Sequence, residues 1–269
     1  MPVLNLEGTT VRNLRTIGIS VPGFHPHGRF LARISSRSAL LSDFQILLDR
    51  SNDHSLGGFR RLVLEENCLA RTSDSARAKL YKELKGRYLL DDSQPFFEAF
   101  LAEWKMGDSD QARALTIFIL FALNDLTVAS TSCEWLFFHL RRPSSELRIK
   151  DLEAFLRNCG TGDHPEVAKW TPTTLTRVAQ HYLASIRDFG LATGGTRKFS
   201  VRPALYAAPI RLLLRALQLA GVPIRETVRH QSFKLLGIAP EEVIDALSEL
   251  NRQSALRFRI QADIIELSL

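Results

Sequence analysis

The most hydrophobic stretch of the chain is the feature that most constrains its fold. It reads ALTIFILFALNDLTVAS from Ala114 to Ser130, and its apolar part ends at Asn124 and Asp125. This length is well short of the roughly 18 consecutive apolar residues that a membrane-spanning helix requires. The stretch therefore predicts a buried helix in the core of a globular protein, and no membrane partner is expected.

Apolar residues recur at helical spacing from Arg29 onward, so the predicted fold class is mainly α. Two segments with strand-like residues, at 191–201 and 255–269, predict small β-hairpins. The expected architecture is a helical bundle with winged-helix-like units, in which the hairpins are the wings. The predicted domains are an N-terminal helical domain (1–105), a helical domain with a winged-helix-like unit (106–203) and a C-terminal winged-helix-like extension (204–269).

The charge balance of the chain bears on its partners. The 269 residues include 45% hydrophobic and 24% charged residues, which is typical of a soluble globular protein with a sizeable core. The formal net charge is +6 and the sequence pI is about 9.5. A positive charge favours an acidic partner such as nucleic acid, although it bears on association and not on fold.

The cysteines and the N-terminal sequence indicate the compartment. Cys68, Cys133 and Cys159 are odd in number, far apart and without CxxC spacing. This pattern argues against a disulfide framework or a zinc site and favours a reducing cytosol. The segment MPVLNLEGTTVRNLR lacks the basic and then apolar layout of a signal peptide. We therefore expect a cytoplasmic protein.

Motifs for catalysis or cofactor binding are missing from the sequence. It has no GxxxxGK[ST] loop, no GxGxxG after a strand, no HExxH and no GxSxG. FHPHG at Phe24–Gly28 has two histidines but no third ligand nearby, so we expect a loop there and no metal site. LRIKDLEAFLRNCG predicts a helix closed by Gly160, and GTGDH then predicts a loop, since a phosphate loop follows a strand. Active sites assemble in space, but nothing here argues for an enzyme, a cofactor or a small-molecule substrate.

The segment WTPTTLTRVAQHYLASIRDFGLATGGTRKFSV predicts a well-delimited amphipathic helix. Thr171 is a good N-cap residue, Pro172 suits the first helical position, and Gly190 suits a left-handed C-terminal stop. One apolar stripe is formed by Leu175, Val178, Ala179, Tyr182, Leu183, Ile186 and Phe189.

The opposite face of this helix carries hydroxyls, an amide and cations, and it has a single acidic residue, Asp188. Such groups can contact phosphates and base edges without repulsion from the nucleic-acid backbone. The polar residues of this face are Thr173, Thr174, Thr176, Arg177, Gln180, His181 and Arg187.

LATGGTRKFSV follows the helix and predicts two short strands around a Gly194-Gly195 turn. Arg197 and Lys198 come just after that turn. A helix followed by a basic two-stranded wing is a winged-helix layout, which would make this pair a nucleic-acid reading head. The same pattern also fits a structural unit of an all-helical core, and the residues alone leave both interpretations open.

A second basic patch is predicted on the helix that follows RTSDS. Ser73 or Thr72 can cap this helix, and Lys79, Lys82 and Lys85 lie on it. The three lysines form either a phosphate-contacting face or an ordinary solvated helix face.

The C-terminal region repeats the helix and hairpin pattern with the opposite charge. Its helix, APEEVIDALSELNRQ, is expected to expose Glu241, Glu242, Asp245 and Glu249. These carboxylates would oppose phosphates at close range. We therefore interpret this unit as a partner-binding or packing module, in which any DNA contact is made through Arg257 and Arg259 on the strand.

Two stretches, ENCLARTSDSARAKLYKELKGRYLL and WTPTTLTRVAQHYLASIRDFGL, resemble the BrxA family of BREX (bacteriophage exclusion) defence systems. The similarity covers roughly residues 25 to 200 and rests on weak motifs and their order. Asn67, Leu69, Arg71, Ser73 and Ser75 match in the first stretch, and Thr173, Thr176, Arg177, Leu183, Phe189, Gly190 and Leu191 match in the second.

This resemblance implies a small, mostly helical, non-enzymatic DNA-binding protein of phage restriction and host methylation. Its expected partners are a methyltransferase, an ATPase and a phosphatase-like subunit. The segment after about Pro203 lies beyond the similarity. The family motif does not define base-contacting residues, so the candidate residues rest on the analysis of helix faces.

The leading hypothesis is therefore a double-stranded DNA-binding accessory protein of a BREX-type system that binds mainly through phosphate contacts. The alternatives are a protein-interaction scaffold of the defence complex and an RNA-binding protein. The candidate nucleic-acid-binding residues are Thr173, Thr174, Arg177, Gln180, His181, Arg187, Arg197 and Lys198, with Lys79, Lys82 and Lys85 as a second patch.

Overall fold

Helices hold most of the residues that the computed structural model of this chain describes, which are 29–88, 90, 94–142, 144–261 and 264–269. The mainly α fold class predicted from periodicity is thus confirmed. The histidine pair of FHPHG lies outside the described residues, so the loop expected there stays a prediction.

Short polar caps delimit the helices of the N-terminal part. Ser55 accepts the backbone N–H of Gly58 at 3.0 Å, and Ser73 accepts that of Ala76 at 3.2 Å. Ser73 is thus the cap of its helix, as one of the two predicted alternatives. The elements here are a 3₁₀ helix (Ala32–Ser35), α1 (Leu41–Arg50), α2 (Leu56–Leu64), α3 (Asp74–Tyr88) and α4 (Pro95–Lys105).

The hydrophobic stretch forms α5 (Asp110–Asn124), which is buried along nearly its whole length, as predicted. Its Phe118 and Phe121 rings lie 5.3 and 5.8 Å from the ring of Phe189. Among the described residues, no single helix is long and apolar enough to cross a membrane. Residues 110–124 and 126–140 reach that length and composition only as a pair, which is bent by 115°.

The central part continues from Asp125, whose carboxylate accepts the N–H of Thr127 at 3.0 Å and caps the next helix. The predicted helix end at Gly160 is wrong, because the helix continues to Thr161 and Gly160 packs against the backbone of Ala168. The elements are α6 (Leu126–Thr131), a π-helical turn (Ser132–Leu136), α7 (Phe137–Leu140), α8 (Ile149–Thr161), a 3₁₀ helix (Val167–Lys169) and α9 (Pro172–Asp188).

A small antiparallel hairpin follows α9, formed by β1 (Ala192–Thr193) and β2 (Phe199–Ser200). Its pairing leaves residues 194–198 in the loop, so the predicted tight turn around the two glycines is too short. Gly194 has φ +95°, and a Cβ there would lie 2.2 Å from the carbonyl oxygen of Arg197, so the loop needs glycine at this position. Glu146 adds an antiparallel bridge to Phe199 on the outer side of the hairpin.

The C-terminal part ends in a second hairpin, as the sequence predicted. In its register Phe258 faces Leu267 and Ile260 faces Ile265. Its elements are α10 (Ala207–Leu219), α11 (Ile224–Thr227), two 3₁₀ helices (Gln231–Leu236 and Pro240–Glu242), α12 (Val243–Arg252), β3 (Arg257–Gln261) and β4 (Ile264–Ser268).

One apolar cluster runs through all three predicted parts, from Phe30 to Phe258. A nearly buried ion pair also joins α4 to α10, with Glu103 Oε2 2.7 Å from Arg211 Nε. Burial raises the pKa of Glu103, and Arg211 opposes that shift. The boundaries proposed at 105 and 203 stay predictions.

Candidate nucleic-acid interface

Helix α9 carries most of the candidate residues, and the predicted signals set its position. Thr171 accepts the N–H of Thr174 at 3.1 Å, Pro172 is the first helical residue, and Gly190 has φ +76° just after the helix. The predicted apolar stripe is confirmed, because every member is buried. The stripe anchors α9 to the core and fixes which side chains point outward.

Two neighbouring segments border the outward face of α9. On one side Thr176 donates a hydrogen bond to Glu153 of α8 at 2.6 Å. On the other side Nδ1 of His181 lies 2.9 Å from the carbonyl oxygen of Ile34, in the first 3₁₀ helix. The open part of the helix is therefore the strip between these two contacts.

Thr173, Arg177 and Gln180 occupy this strip, and all three are exposed. Their i, i+4, i+7 spacing puts them on one face of the helix. Among the described residues Arg177 forms no ion pair, whereas Arg187, further along the helix, pairs with Asp188 at 2.8 Å. The strip thus offers a hydroxyl, an amide and a free guanidinium, with no carboxylate among them.

Two other predicted contacts lie at the borders of the strip. Thr174 is half-buried and its hydroxyl is 3.0 Å from that of Thr171. His181 is also half-buried, and one ring nitrogen is occupied by Ile34. Only the remaining polar atoms of these two side chains are left for a ligand.

The cations of the first hairpin lie in its loop, and both have partners within the chain. Arg197 Nε lies 2.9 Å from Glu146 Oε1, and Lys198 Nζ donates to the carbonyl oxygen of Gly195 at 2.9 Å. The other oxygen of Glu146 holds Arg148 at 2.8 Å. Hydrogen bonds from Arg197 and Arg148 lower the pKa of Glu146 to about 2. The carboxylate therefore stays charged at neutral pH.

Glu146 was missed by the sequence reasoning, because 51 residues separate it from Arg197. The sequence offers one indication of its role, which is that Glu146 lies in a short segment between the helices α7 and α8. The bridge to Phe199 and the hydrogen bond from Leu147 N–H to the Lys198 carbonyl (2.8 Å) bring that segment to the hairpin.

The second predicted patch lies on α3, where Lys79, Lys82 and Lys85 are all exposed. Helix α3 packs on α2 and α5, while α9 packs on α8 and on the first 3₁₀ helix. The segment 33–39 connects the two patches, since Arg87 of α3 donates to the carbonyls of Arg37 and Ser38, and α9 holds residues 34 and 39.

This connecting segment contributes two further cations, Arg33 and Arg37, which the sequence reasoning did not single out. Arg33 is exposed and its Nη1 is 3.5 Å from the carbonyl oxygen of Gly86. The segment has only a four-residue 3₁₀ helix, which is too short for a periodic pattern to predict its faces.

The acidic segment 240–252, which forms the 3₁₀ helix Pro240–Glu242 and α12, differs from its predicted exposure at Glu242. This half-buried carboxylate pairs with Arg141 and, at 3.3 Å, with Arg202, and it also accepts the N–H of Ala239 at 2.9 Å. The hydrogen bond from Arg141 lowers the pKa of Glu242. Glu242 therefore joins the C-terminal part to the central part, and only Glu241 and Asp245 of the predicted acidic set remain exposed without an ion pair among the described residues.

Metal-ligating side chains do not converge within the part of the chain that the structure describes. No group of three or more histidine, cysteine, aspartate or glutamate residues there is placed to hold a metal ion. Cys68, Cys133 and Cys159 are free thiols, and burial raises the pKa of Cys159 to about 11.

The fold and this surface define a mainly helical protein with an acid-poor helix face beside a small basic hairpin. The family model for BrxA matches residues 28–218, which is well over half of the chain, and the chain belongs to the BrxA family. The resemblance found in the sequence is thus confirmed, and membership implies an association with BREX phage defence. A search of curated proteins gave no match.

Proposed function

We propose that this chain is a non-enzymatic double-stranded DNA-binding accessory protein of a bacterial BREX-type anti-phage defence system. The observation that carries the proposal is the exposed strip of α9, where Arg177 lies between Thr173 and Gln180 with no carboxylate partner among the described residues. A phosphate backbone binds such a strip favourably, because no fixed negative charge has to be displaced.

The order of elements around α9 supports a winged-helix interpretation. Residues 126–140 form consecutive helical turns, residue 146 bridges to the hairpin, and α8 and α9 lie between residue 146 and the hairpin in the chain. In such an arrangement α9 would lie in the major groove, and the hairpin loop with Arg197 and Lys198 would lie over neighbouring phosphates.

Binding would be mainly electrostatic. Four cations, Arg177, Arg187, Arg197 and Lys198, accompany one amide reader, Gln180, on this surface. Phosphate contacts carry no sequence information, whereas bidentate amide contacts to adenine do. We therefore propose steep salt dependence and weak sequence preference, with Lys79, Lys82 and Lys85 as a supporting patch.

The BREX association suggests the assembly in which this binding would operate. We propose that the chain acts in the cytoplasm beside a methyltransferase, an ATPase and a phosphatase-like subunit, and that it contributes DNA binding to their common task. Its role would need no catalytic residue, cofactor or small-molecule substrate.

Fluorescence anisotropy with a labelled DNA duplex tests the proposal. The triple variant Arg177→Ala/Arg197→Ala/Lys198→Ala should bind at least about tenfold more weakly, since each charge-assisted contact contributes on the order of 1 kcal/mol or more. The matched control Arg60→Ala/Arg61→Ala/Arg252→Ala removes three exposed arginines elsewhere. Equal affinities of the wild type and the first variant at several salt concentrations would contradict DNA binding at this surface.

Competition with a duplex RNA of the same sequence separates DNA from RNA binding. We expect the DNA duplex to displace the labelled DNA at lower concentration than the RNA. The reverse order would favour the RNA-binding alternative.

The exposed carboxylates Glu241 and Asp245 favour the scaffold alternative for the C-terminal part. Co-purification with the three proposed subunits, unaffected by nuclease and lost in Glu241→Lys/Asp245→Lys, would support it. Loss of co-purification after nuclease treatment would show that DNA bridges the proteins instead.

A further inference from the structure

Within the part of the chain that the structure describes, the C-terminal hairpin has a strand edge that no further strand pairs with. Among the described residues β4 pairs with β3 alone, and α11 lies close to β4. In an antiparallel ladder, alternate residues of an edge strand direct their N–H and C=O groups away from the neighbouring strand. Such an edge is a template on which a further strand can pair.

A groove of about 1100 Å³ runs beside this hairpin, between it and the helices α10 and α11. That volume is above the ~300–1,000 Å³ of typical small-molecule pockets. Leu214, Val222 and Ile224 line it from the helical side, and Ile265, Leu267 and Leu269 line it from the strand side. Ile265 and Leu267 alternate along β4, so they lie on one face of the strand, and Leu269 follows just after its end.

The rim of the groove is positively charged. Arg215, Arg257 and Arg259 line it, and none of the three forms an ion pair with a described residue within 4.0 Å. The carboxylate among the lining residues is Glu266, which stands opposite Arg259 in the strand register. The described lining residues thus combine apolar side chains with a net positive charge, three arginines against Glu266.

We propose that this groove binds an extended acidic segment of a partner protein, which adds to β4 as a third strand. Strand addition takes its affinity from the free backbone edge and its specificity from alternating side-chain positions. Apolar residues of the partner would contact Ile265 and Leu267 on one face of β4. Its carboxylates would lie on the opposite face, where Arg257 and Arg259 of β3 outnumber Glu266. A DNA duplex matches the rim but not the apolar side chains, because phosphates gain nothing from apolar contacts. The β4 wall lies beyond the family-matched residues 28–218, so this site is additional to the proposed DNA-binding surface.

Three kinds of fluorescein-labelled peptide, each of about nine residues and so within the usual range of strand lengths, test the proposal on the full chain. The first alternates valine and glutamate, and the second alternates valine and lysine. The third is the glutamate peptide with every second backbone nitrogen methylated. It is made in two versions, one for each of the two alternate sets of N–H groups, so that each version blocks one edge of the peptide strand. We expect saturable anisotropy binding of the glutamate peptide, at least about tenfold weaker binding of the lysine peptide, and loss of binding in one methylated version and not the other.

Protein variants locate the binding. The double variant Arg257→Glu/Arg259→Glu should bind the glutamate peptide at least about tenfold more weakly, because the substitutions reverse the charge of the rim. Arg252→Glu changes an exposed arginine of the same part outside the groove and should stay within about twofold. Three results would overturn the proposal: no saturation up to about 1 mM peptide, equal binding of both methylated versions, or a loss of DNA affinity in Arg257→Glu/Arg259→Glu without a loss of peptide affinity. The outcome of these peptide experiments is independent of the proposed DNA binding, which is tested separately through Arg177, Arg197 and Lys198.

Discussion

The hydroxyl oxygen of Ser185 accepts a 2.8 Å hydrogen bond from the backbone N–H of Ala39, in a buried setting. The same hydroxyl donates to the carbonyl of His181 at 2.7 Å, so its orientation is fixed. The carbonyl of Ala39 accepts the hydroxyl of Tyr88. Residue 39 therefore ties α9 to α3, the two helices that carry the candidate DNA contacts.

We predict that Ser185→Ala lowers the free energy of unfolding by about 1–3 kcal/mol, because it leaves the buried N–H of Ala39 without an acceptor. Urea unfolding followed by circular dichroism measures the change. Ser232→Ala is the matched control, since Ser232 is also fully buried but its hydroxyl has no hydrogen-bond partner among the described residues. A loss as large in the control as in Ser185→Ala would show that methyl packing, and not the hydrogen bond, sets the effect.

The features that the sequence predicted well are those encoded within a single element. The cap at Thr171, the stripe from Leu175 to Phe189 and the buried helix near Ala114 each depend on local spacing, and the structure confirms them. The partners of the predicted cations could not be predicted, because they come from distant segments. Glu146 reaches Arg197 through a strand bridge, and Ile34 reaches His181 through a short 3₁₀ helix.

Local rules also failed where packing decides the outcome. Gly160 suits a helix end, but the helix continues past it to Thr161, and the glycine instead allows the close approach of the Ala168 backbone. The sequence predicts Glu242 on an exposed acidic face, but in the structure it forms ion pairs with Arg141 and Arg202. Neither contact leaves a pattern within its own segment.

We predict that Glu146→Gln raises the affinity for a DNA duplex by about two- to fivefold at low salt. The change frees Arg197 and Arg148 from a competing carboxylate, and the exposed pairs that it removes are individually weak. Fluorescence anisotropy measures the affinity. Glu249→Gln is the control, because it frees the exposed Arg252 in the C-terminal part. Unchanged or weaker binding of Glu146→Gln would indicate that Arg197 does not meet phosphate.

The salt dependence of DNA binding should report the number of phosphate contacts. If Arg177, Arg187, Arg197 and Lys198 each neutralise one phosphate, log K should fall against log salt with a slope of about −3.6. Each single alanine variant should reduce that slope by about 0.9. Titrations at several salt concentrations measure it. A variant that weakens binding with an unchanged slope would act on the shape of the site and not through a phosphate contact.

The buried carboxyl of Asp125 should make stability depend on pH. Burial raises its pKa to about 6, against the charge of Arg33 and the hydrogen bonds from Thr127. The folded state then keeps a proton that the unfolded chain releases, so stability falls as the pH rises from about 4 to about 6. Asp125→Asn keeps a capping side chain and removes this titration. The free energy of unfolding of Asp125→Asn, measured with urea relative to the wild type, should rise by on the order of 2–3 kcal/mol between pH 4 and pH 7. A constant difference across that range would contradict this expectation.

The ion pair between Glu103 and Arg211 should be strongly coupled, because both side chains are nearly removed from water, at 5% and 12% exposure. Glu103→Leu and Arg211→Met should each lower the free energy of unfolding by about 3–5 kcal/mol, since each leaves a buried charge unpaired. The double variant should be closer to the wild type than either single variant, because no unpaired charge remains. A double-mutant cycle in urea gives the coupling energy, and the exposed pair Arg61–Glu66 serves as the control with an expected coupling below about 1 kcal/mol. Additive losses at Glu103 and Arg211 would mean that the two groups contribute through packing, and that α4 and α10 are held together by apolar contacts alone.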